Sequence, residues 1–413
     1  MNYIKNVKIL MVVLLLGVGF GLYANGMNLN GNGSKAVGMG GAFIGLADDY
    51  SAVFWNPAGL TQMTKPSVSV FLSDVIPSGS YTNETAGIHA KTQTSHYLAP
   101  SAGFFTPLSP SIVVGLYAYV PSGCGAKWNG DDLAVLASGQ SFQWESKVGI
   151  ITVSPVIAFK VSELLSLGAS INIDYGLIKL KKPTMLGQYE ENLNGWALGG
   201  TIGLLLKPSE KYSIGLTYRS PISASISGTA TMPGAALLHL PTTSDAKRKA
   251  KFPTWLGGGI AFKPSAMLTF TADVQYTHWK ALQAFPIEYD DAYWQNLFAQ
   301  GGELRLQWKN TVQLRFGMEY RFSDSFALRG GYYYDPNPSP NATESILLPQ
   351  ITYNFFTMGV GYRCRRFTVD ASVEFGLGKN RTIEAPEVIS GVGMPGTHHM
   401  NILVPNIGIT YLF

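Results

Sequence analysis

From about Ser67 to Phe413 this 413-residue chain divides into fourteen stretches of strand character, and the connections between them alternate in length. Those near Leu108–Pro110, Lys160–Glu163, Lys207–Lys211, Lys263–Ala266, Ser323–Ser325 and Arg363–Arg366 are tight. Those near Pro77–Gln93, Pro121–Phe142, Lys181–Glu190, Gly228–Lys249, Ala281–Gly302, Asp335–Gln350 and Lys379–His399 are mostly far longer. A closed barrel in an outer membrane has this asymmetry, with short periplasmic turns, longer external loops and an even strand number. A soluble sandwich has no reason to put its long loops on one side only. The expected fold is therefore all-β: a transmembrane antiparallel barrel of about fourteen strands.

Alternation within the stretches supports this. Between Glu303 and Phe322, Leu304, Leu306, Trp308, Val312, Leu314, Phe316, Met318 and Tyr320 fall on one face. Arg305, Gln307, Lys309, Thr311, Gln313, Arg315, Glu319 and Arg321 fall on the other. A period of two marks a strand, and this one reads as long enough to project beyond the membrane. Leu268–Thr277 and Leu167–Tyr175 repeat the pattern. The polar set cannot face lipid, where a midplane Arg or Lys costs about 2–4 kcal/mol, so it faces the lumen.

Ahead of the barrel, Lys5 and Lys8 precede an apolar run from Ile9 to Leu22 and then Tyr23-Ala24. This is a secretory signal expected to be cleaved after Ala24; the run is shorter than the ~20 residues of a spanning helix. Only 14% of residues are charged and mean hydropathy is +0.11, yet no later stretch is apolar enough for a membrane helix. A barrel resolves that conflict, because each strand carries its lipid-facing residues only at alternate positions. The charge balance, 30 Lys+Arg against 26 Asp+Glu, gives no case for nucleic acid. Cys124 falls in a long loop and Cys364 in a short turn, so no disulfide is expected between them.

Aromatics gather beside the short turns, among them Phe104, Phe105, Phe159, Tyr212, Phe262, Phe322, Phe367 and Tyr411. This is the expected periplasmic girdle. The chain ends Ile407-Gly408-Ile409-Thr410-Tyr411-Leu412-Phe413. That ending resembles the signal by which the barrel assembly machinery recognises outer-membrane barrels, with Phe413 as its last residue.

Residues 25 to about 65 lack strand alternation and are rich in Gly and Ala, yet carry Phe43, Phe54, Trp55 and Leu60. Small side chains with such apolar residues suit packing inside a lumen better than a disordered tail. Asn56-Pro57-Ala58 is expected to form a turn, with Pro fixing φ and Asn bonding its own backbone. Gly26-Met27-Asn28-Leu29-Asn30, the Gly/Ala run, Ala47-Asp48-Asp49 and Asn56-Pro57-Ala58 together resemble the outer-membrane transporters for long-chain fatty acids and other hydrophobic compounds, the FadL/TodX type. The resemblance implies a division into a signal peptide (1–24), an N-terminal hatch inside the lumen (25–65) and a barrel (66–413). It also implies a monomer in the bacterial outer membrane, amid its lipid and lipopolysaccharide, that moves hydrophobic small molecules passively and without a cofactor. Ligand would bind in a barrel pocket against Met27 and Leu29, the hatch would rearrange, and release would be lateral through an inward-kinked third strand.

The loop Ala281–Gly302 is unusually apolar, and Phe285, Tyr293, Trp294 and Phe298 are its candidate ligand contacts. On the third strand, Gly115, Pro121, Gly123 and Gly125 are the candidate breaks in pairing, since Pro cannot donate and Gly marks bends. Arg315, Glu319, Arg321 and Arg329 share the inward face near one turn; pairing with Asp48 or Asp49 and pairing among themselves both stay open. A Gly31-Asn32-Gly33 nucleotide loop lacks its strand and helix, and His398-His399 has no further metal ligand beside it. No catalytic motif accompanies the six histidines. A general diffusion porin and a barrel adhesin are the alternative readings.

Overall fold

The computed structural model describes residues 26–29, 31–299 and 302–413. The expected signal peptide, together with Asn25 and Asn30, lies outside the described residues. Fourteen antiparallel strands close into a barrel. They are β1 (Ser67–Asn83), β2 (Tyr97–Ser109), β3 (Ile112–Trp128), β4 (Trp144–Lys160), β5 (Leu165–Thr184), β6 (Gly187–Ser209), β7 (Tyr212–Arg219 and Ile222–Thr231), β8 (Thr243–Phe252 and Trp255–Phe262), β9 (Leu268–Thr277), β10 (Thr311–Arg321), β11 (Phe326–Asp335), β12 (Tyr353–Cys364), β13 (Phe367–Gly378) and β14 (Gly396–Leu412). Each of β7 and β8 is interrupted beside a proline, Pro221 and Pro253, which has no N–H for the ladder. β14 returns to β1, from Ser67 opposite Leu412 to Thr82 opposite Thr397. Closure satisfies the backbone groups that lipid cannot.

The strand faces follow the alternation. On β9, Thr269, Thr271, Asp273, Gln275 and Thr277 are buried inward, while Phe270 and Val274 are exposed outward. On β10, Thr311, Gln313, Arg315 and Glu319 are buried, and Phe316 and Met318 are exposed. Three expectations change. The stretch from Glu303 to Phe322 is not one strand: Leu304–Arg305 pairs with Ala284–Phe285 in a separate two-stranded sheet, and β10 starts only at Thr311. Between them the N–H groups of Leu306 and Gln307 both donate to the Gln283 carbonyl, at 2.8 and 2.9 Å. Gln307 takes a φ of 51°, which ends any continuous ladder, and Leu306 and Trp308 turn inward to burial. The connection near Lys181–Glu190 is a tight turn, because β5 and β6 stay paired out to Thr184 opposite Gly187. Phe105 leaves the aromatic girdle; it points inward, fully buried, while Phe104, Phe322 and Phe367 are exposed on the outside.

Residues 31–63 pack within the barrel. From Asn32 to Leu60 every residue but Lys35, Asp48 and Asp49 is buried. Short helical turns at Ser34–Gly38, Ala52–Trp55 and Pro57–Gln62 fold the segment compactly. Inward-facing strand residues meet its backbone polar groups. The Asp273 carboxylate accepts from the N–H groups of Phe43 and Ile44 at 2.8 and 2.9 Å. Arg315 donates to the Gly40 carbonyl at 3.0 Å, Thr217 to that of Trp55 at 2.8 Å, and Arg219 to that of Phe54 at 2.8 Å.

Candidate functional site

Asn56, Pro57 and Ala58 form the main attachment of this segment. The Asn56 side chain is fully buried. Its Oδ1 accepts from the Ala58 N–H at 3.2 Å, closing the local turn, and Pro57 begins the helical turn that follows. Its Nδ2 donates to the carbonyl of Ile44 and to that of Leu204 on β6, both at 3.0 Å. One amide thus ties together two parts of the segment and the barrel wall. The wall is bare where they meet. A Cβ at Gly168 would lie 2.3 Å from the Pro57 carbonyl carbon, one at Gly203 2.2 Å from Asn56 Oδ1, and one at Gly215 2.0 Å from the Ile44 oxygen. Three adjacent strands supply this glycine floor, which the sequence reading missed because nothing local distinguishes these glycines from others in strands.

The second feature is a break in the wall. β2 pairs with β1 as far as Tyr97 opposite Val75. With β3, however, its ladder ends at Ala102 opposite Ala118. Beyond that point no pairing joins 97–101 to 119–127 among the described residues, and contact resumes only at the Thr92–Trp128 bridge. On its other side β3 stays paired to β4, with a register shift between Tyr119 and Ser122. Residues 26–29 take up the freed groups of β3: the Gly123 N–H donates to the Met27 carbonyl at 2.8 Å, and the Leu29 N–H to the Pro121 carbonyl at 3.0 Å. Pro121 falls inside the register shift, where its missing N–H costs no ladder bond. Gly123 lies beside Leu29, whose Cδ2 is 3.9 Å from where a Cβ would be. Gly125 lets β3 approach Ser146 of β4. Gly115 is separate from these; it sits in intact ladder, where a Cβ would strike the Phe105 ring at 2.2 Å.

A cavity of about 780 Å³ occupies this break. Its inner lining includes the buried Phe71, Tyr119, Ile150, Tyr353 and Met400. Leu72, Leu98 and Ile151 also line it, and these are 40%, 61% and 46% exposed on the outer face of the barrel. The cavity therefore passes through the wall. Asn28 and Leu29 line it, and Asp335, Glu374 and Gln350 supply polar groups. Gln350 and its loop are clasped from above: Glu344 accepts from the Gln350 N–H at 2.8 Å and pairs with Arg381 at 2.7 Å. Burial pushes the Glu344 carboxyl up to about 7, against the pull of Arg381.

Of the expected ligand contacts, Leu29 lines the cavity and the others do not. Met27 is fully buried in a neighbouring apolar cluster with Phe285, Trp294, Trp279 and Trp308, and Phe298 packs against that cluster. Tyr293 is 62% exposed. The helical turn Ala292–Leu297, capped by Asp291, aims Trp294 inward and Tyr293 outward. The loop is latched by Arg248, which pairs with Glu191 at 2.8 Å and donates to the Phe285 carbonyl at 2.5 Å.

At the short-turn end the charges pair among themselves. Glu319 holds Arg321 at 2.9 Å and Arg329 at 2.8 Å, and Arg329 also holds Asp370 at 2.6 Å. Asp48 pairs instead with Lys35 of its own segment at 2.6 Å, and Lys35 reaches Glu319 at 4.0 Å. Arg315 stands apart, its guanidinium 5.5 Å from the Trp55 ring centroid and 4.3 Å from that of Tyr333. Cys124 lies on β3, paired opposite Val148, and not in a loop as expected; it and Cys364 are both free thiols. Among the described residues no group of three or more His, Cys, Asp or Glu is placed to hold a metal ion.

Comparison with known proteins matches this architecture. A family model described as outer membrane protein transport protein (OMPP1/FadL/TodX) covers residues 19–413. A putative outer membrane protein of Neisseria meningitidis serogroup B, NMB0088, is 24% identical over 440 residues, spanning 90% of this chain and 88% of that protein. The crystal structure of a FadL homologue from Pseudomonas aeruginosa superposes with a TM-score of 0.78 at 19% identity, over 94% of this chain and 100% of the other. That of the toluene transporter TodX from Pseudomonas putida gives 0.75 at 16% identity, over 94% and 99%. At these identities the structural likeness is one of fold. The family match over residues 19–413 and the barrel together establish that this chain belongs to the OMPP1/FadL/TodX family of outer-membrane transport proteins, which are not enzymes.

Proposed function

We propose that a hydrophobic small molecule, a long-chain fatty acid or an aromatic or aliphatic hydrocarbon, binds in the cavity beside residues 26–29 and leaves sideways between β2 and β3. Residues 25–65 act as the hatch: they keep the lumen shut to polar solutes and shift as ligand passes. One observation carries this reading. The cavity is lined by residues of both wall faces, at the place where the β2–β3 ladder stops. A molecule there touches the lumen side and the lipid side of the same barrel, and apolar side chains line most of its path. Transport is passive, driven by partition into the membrane. The packed segment 31–63 argues against an open diffusion pore. TodX, a toluene transporter by its description, offers a precedent for apolar cargo in this fold.

The test seals the gap. In a chain lacking Cys124 and Cys364, Pro100→Cys and Val120→Cys are bridged by a short, thiol-cleavable cross-linker. Binding of a fluorescent hydrophobic probe should stay within about twofold while its delivery to the membrane stops, returning on reduction. Undiminished delivery through the sealed barrel would mean that ligand leaves along the lumen.

A further inference from the structure

The cavity is apolar over most of its lining, so its few ionisable groups decide which polar end a ligand presents. Its acidic and basic side chains are those of Asp335 at the end of β11, Glu374 on β13 and Lys147 on β4. Lys147 is exposed, between the buried Ser146 and Val148, and so points out of the barrel. The two carboxylates point in, and both are buried. Barrel donors already serve them. Tyr333 donates to Glu374 Oε2 at 2.7 Å, and Gln313 to Asp335 Oδ1 at 2.7 Å. The guanidinium of Arg315 lies behind Tyr333, 4.3 Å from its ring centroid. It is 1% exposed and is not among the lining residues. Its Nη1 and Nη2 are committed to Gly40 O and Gln313 Oε1, each at 3.0 Å. No cation therefore faces the inner end of the cavity among the described residues.

We propose that the cavity selects hydrophobes whose polar end donates hydrogen bonds and carries no negative charge, alcohols and phenols over fatty-acid anions. This rests on the reading of the cavity as the binding site. An ionised carboxylate acts only as an acceptor and has room for about four hydrogen bonds. A ligand hydroxyl beside Glu374 supplies a further donor. A ligand carboxylate supplies none there, and at a pH where Glu374 is ionised it is desolvated next to a like charge, where a low local dielectric strengthens repulsion. Recognition by rejection of the wrong charge is how an apolar pocket gains selectivity that packing alone does not give.

The measurement is calorimetric titration of 1-dodecanol and of dodecanoate, at pH 8.5, into the detergent-solubilised full chain. Dodecanol should bind at least tenfold tighter. In Glu374→Gln with Asp335→Asn, both side chains still accept from Tyr333 and Gln313. There the gap should narrow to under threefold, through tighter dodecanoate binding. Heat-shifted gel mobility confirms that the variant is folded, and Glu374→Gln alone should narrow the gap part way if the double variant is not. Equal or tighter dodecanoate binding by the unmodified protein, abolished by Gly123→Trp, would overturn the selectivity and leave the cavity reading standing. So would a gap unchanged in both variants. Failure of both probes to bind would overturn the cavity reading and the selectivity with it.

Discussion

Asn56→Ala isolates the hold of the N-terminal segment on the barrel. Asn56 is 0% exposed and makes three hydrogen bonds, two from Nδ2 at 3.0 Å and one to Oδ1 at 3.2 Å. Alanine leaves the Ile44 carbonyl and the Ala58 N–H without these partners, deep in the barrel. A buried group left unsatisfied costs roughly 1–3 kcal/mol. Two such groups, with the lost tie to Leu204, amount to about 3 kcal/mol. At 1.4 kcal/mol per decade this shifts the release of the segment about a hundredfold. The barrel ladder from β1 to β14 involves none of these groups except the Leu204 carbonyl, so closure should survive. Hydrogen exchange read by mass spectrometry should show protection across residues 42–62 falling about a hundredfold, with β9–β13 unchanged. Transport of a hydrophobic probe should change more than the yield of folded barrel. Asn56→Asp, which keeps the acceptor for Ala58 but turns a buried carboxylate oxygen toward the Ile44 and Leu204 carbonyls, should release the segment at least as much as alanine does. Unchanged exchange across 42–62 would refute the anchoring role. Loss of the folded barrel would show that the motif serves barrel assembly.

Gly215→Val should expel the segment locally, because its Cβ would sit 2.0 Å from the Ile44 oxygen; limited proteolysis within residues 40–62 checks this, and resistance equal to wild type counts against the glycine floor. Glu319→Gln should lower the heat-shift temperature on gels, since Glu319 and Arg329 are 1% and 5% exposed and breaking a buried pair by removing one partner costs about 3–5 kcal/mol. An unshifted temperature would mean that Asp370 and Asp48 suffice for the cations. Arg248→Met alone should loosen the loop 281–302 by leaving Glu191 buried without its partner and the Phe285 carbonyl without its donor, seen as faster chymotryptic cleavage there, while Arg248→Met with Glu191→Leu should recover only part of the resistance. Equal cleavage in all three proteins would refute the latch.

Several features were legible from the residues because they are local. The alternation on β9 and β10 separates two faces whatever the neighbours are, since successive side chains on a strand point to opposite faces, and the signal segment with the one-sided long loops favours lipid for the apolar one. The turn at Asn56 was legible for the same reason: its Asn Oδ1 reaches only to Ala58. The same periodicity misled between Glu303 and Thr311, where alternation continued but the backbone was out of the barrel ladder, turning at Gln307 and pairing at Leu304–Arg305 with the start of the same loop. Apolarity alone marked Phe285 and Trp294 as a loop surface for ligand, and the Arg248–Glu191 latch turned them into packing.

The chain by itself thus determined that a barrel forms, which face of each strand meets lipid, and that the N-terminal segment is too small and apolar to stay in water. Only the tertiary structure decided where the wall is open. Leu72, Leu98 and Ile151 are exposed on the outer face of the barrel, and they line the cavity because the β2–β3 ladder stops at Ala102 and Ala118. Asp335, at the end of β11, and Glu374, on β13, meet at one cavity because separate strands close the same cylinder. Strand periodicity is a property of one backbone segment; a gap, a pocket and its charge belong to the register between segments, which no single segment encodes.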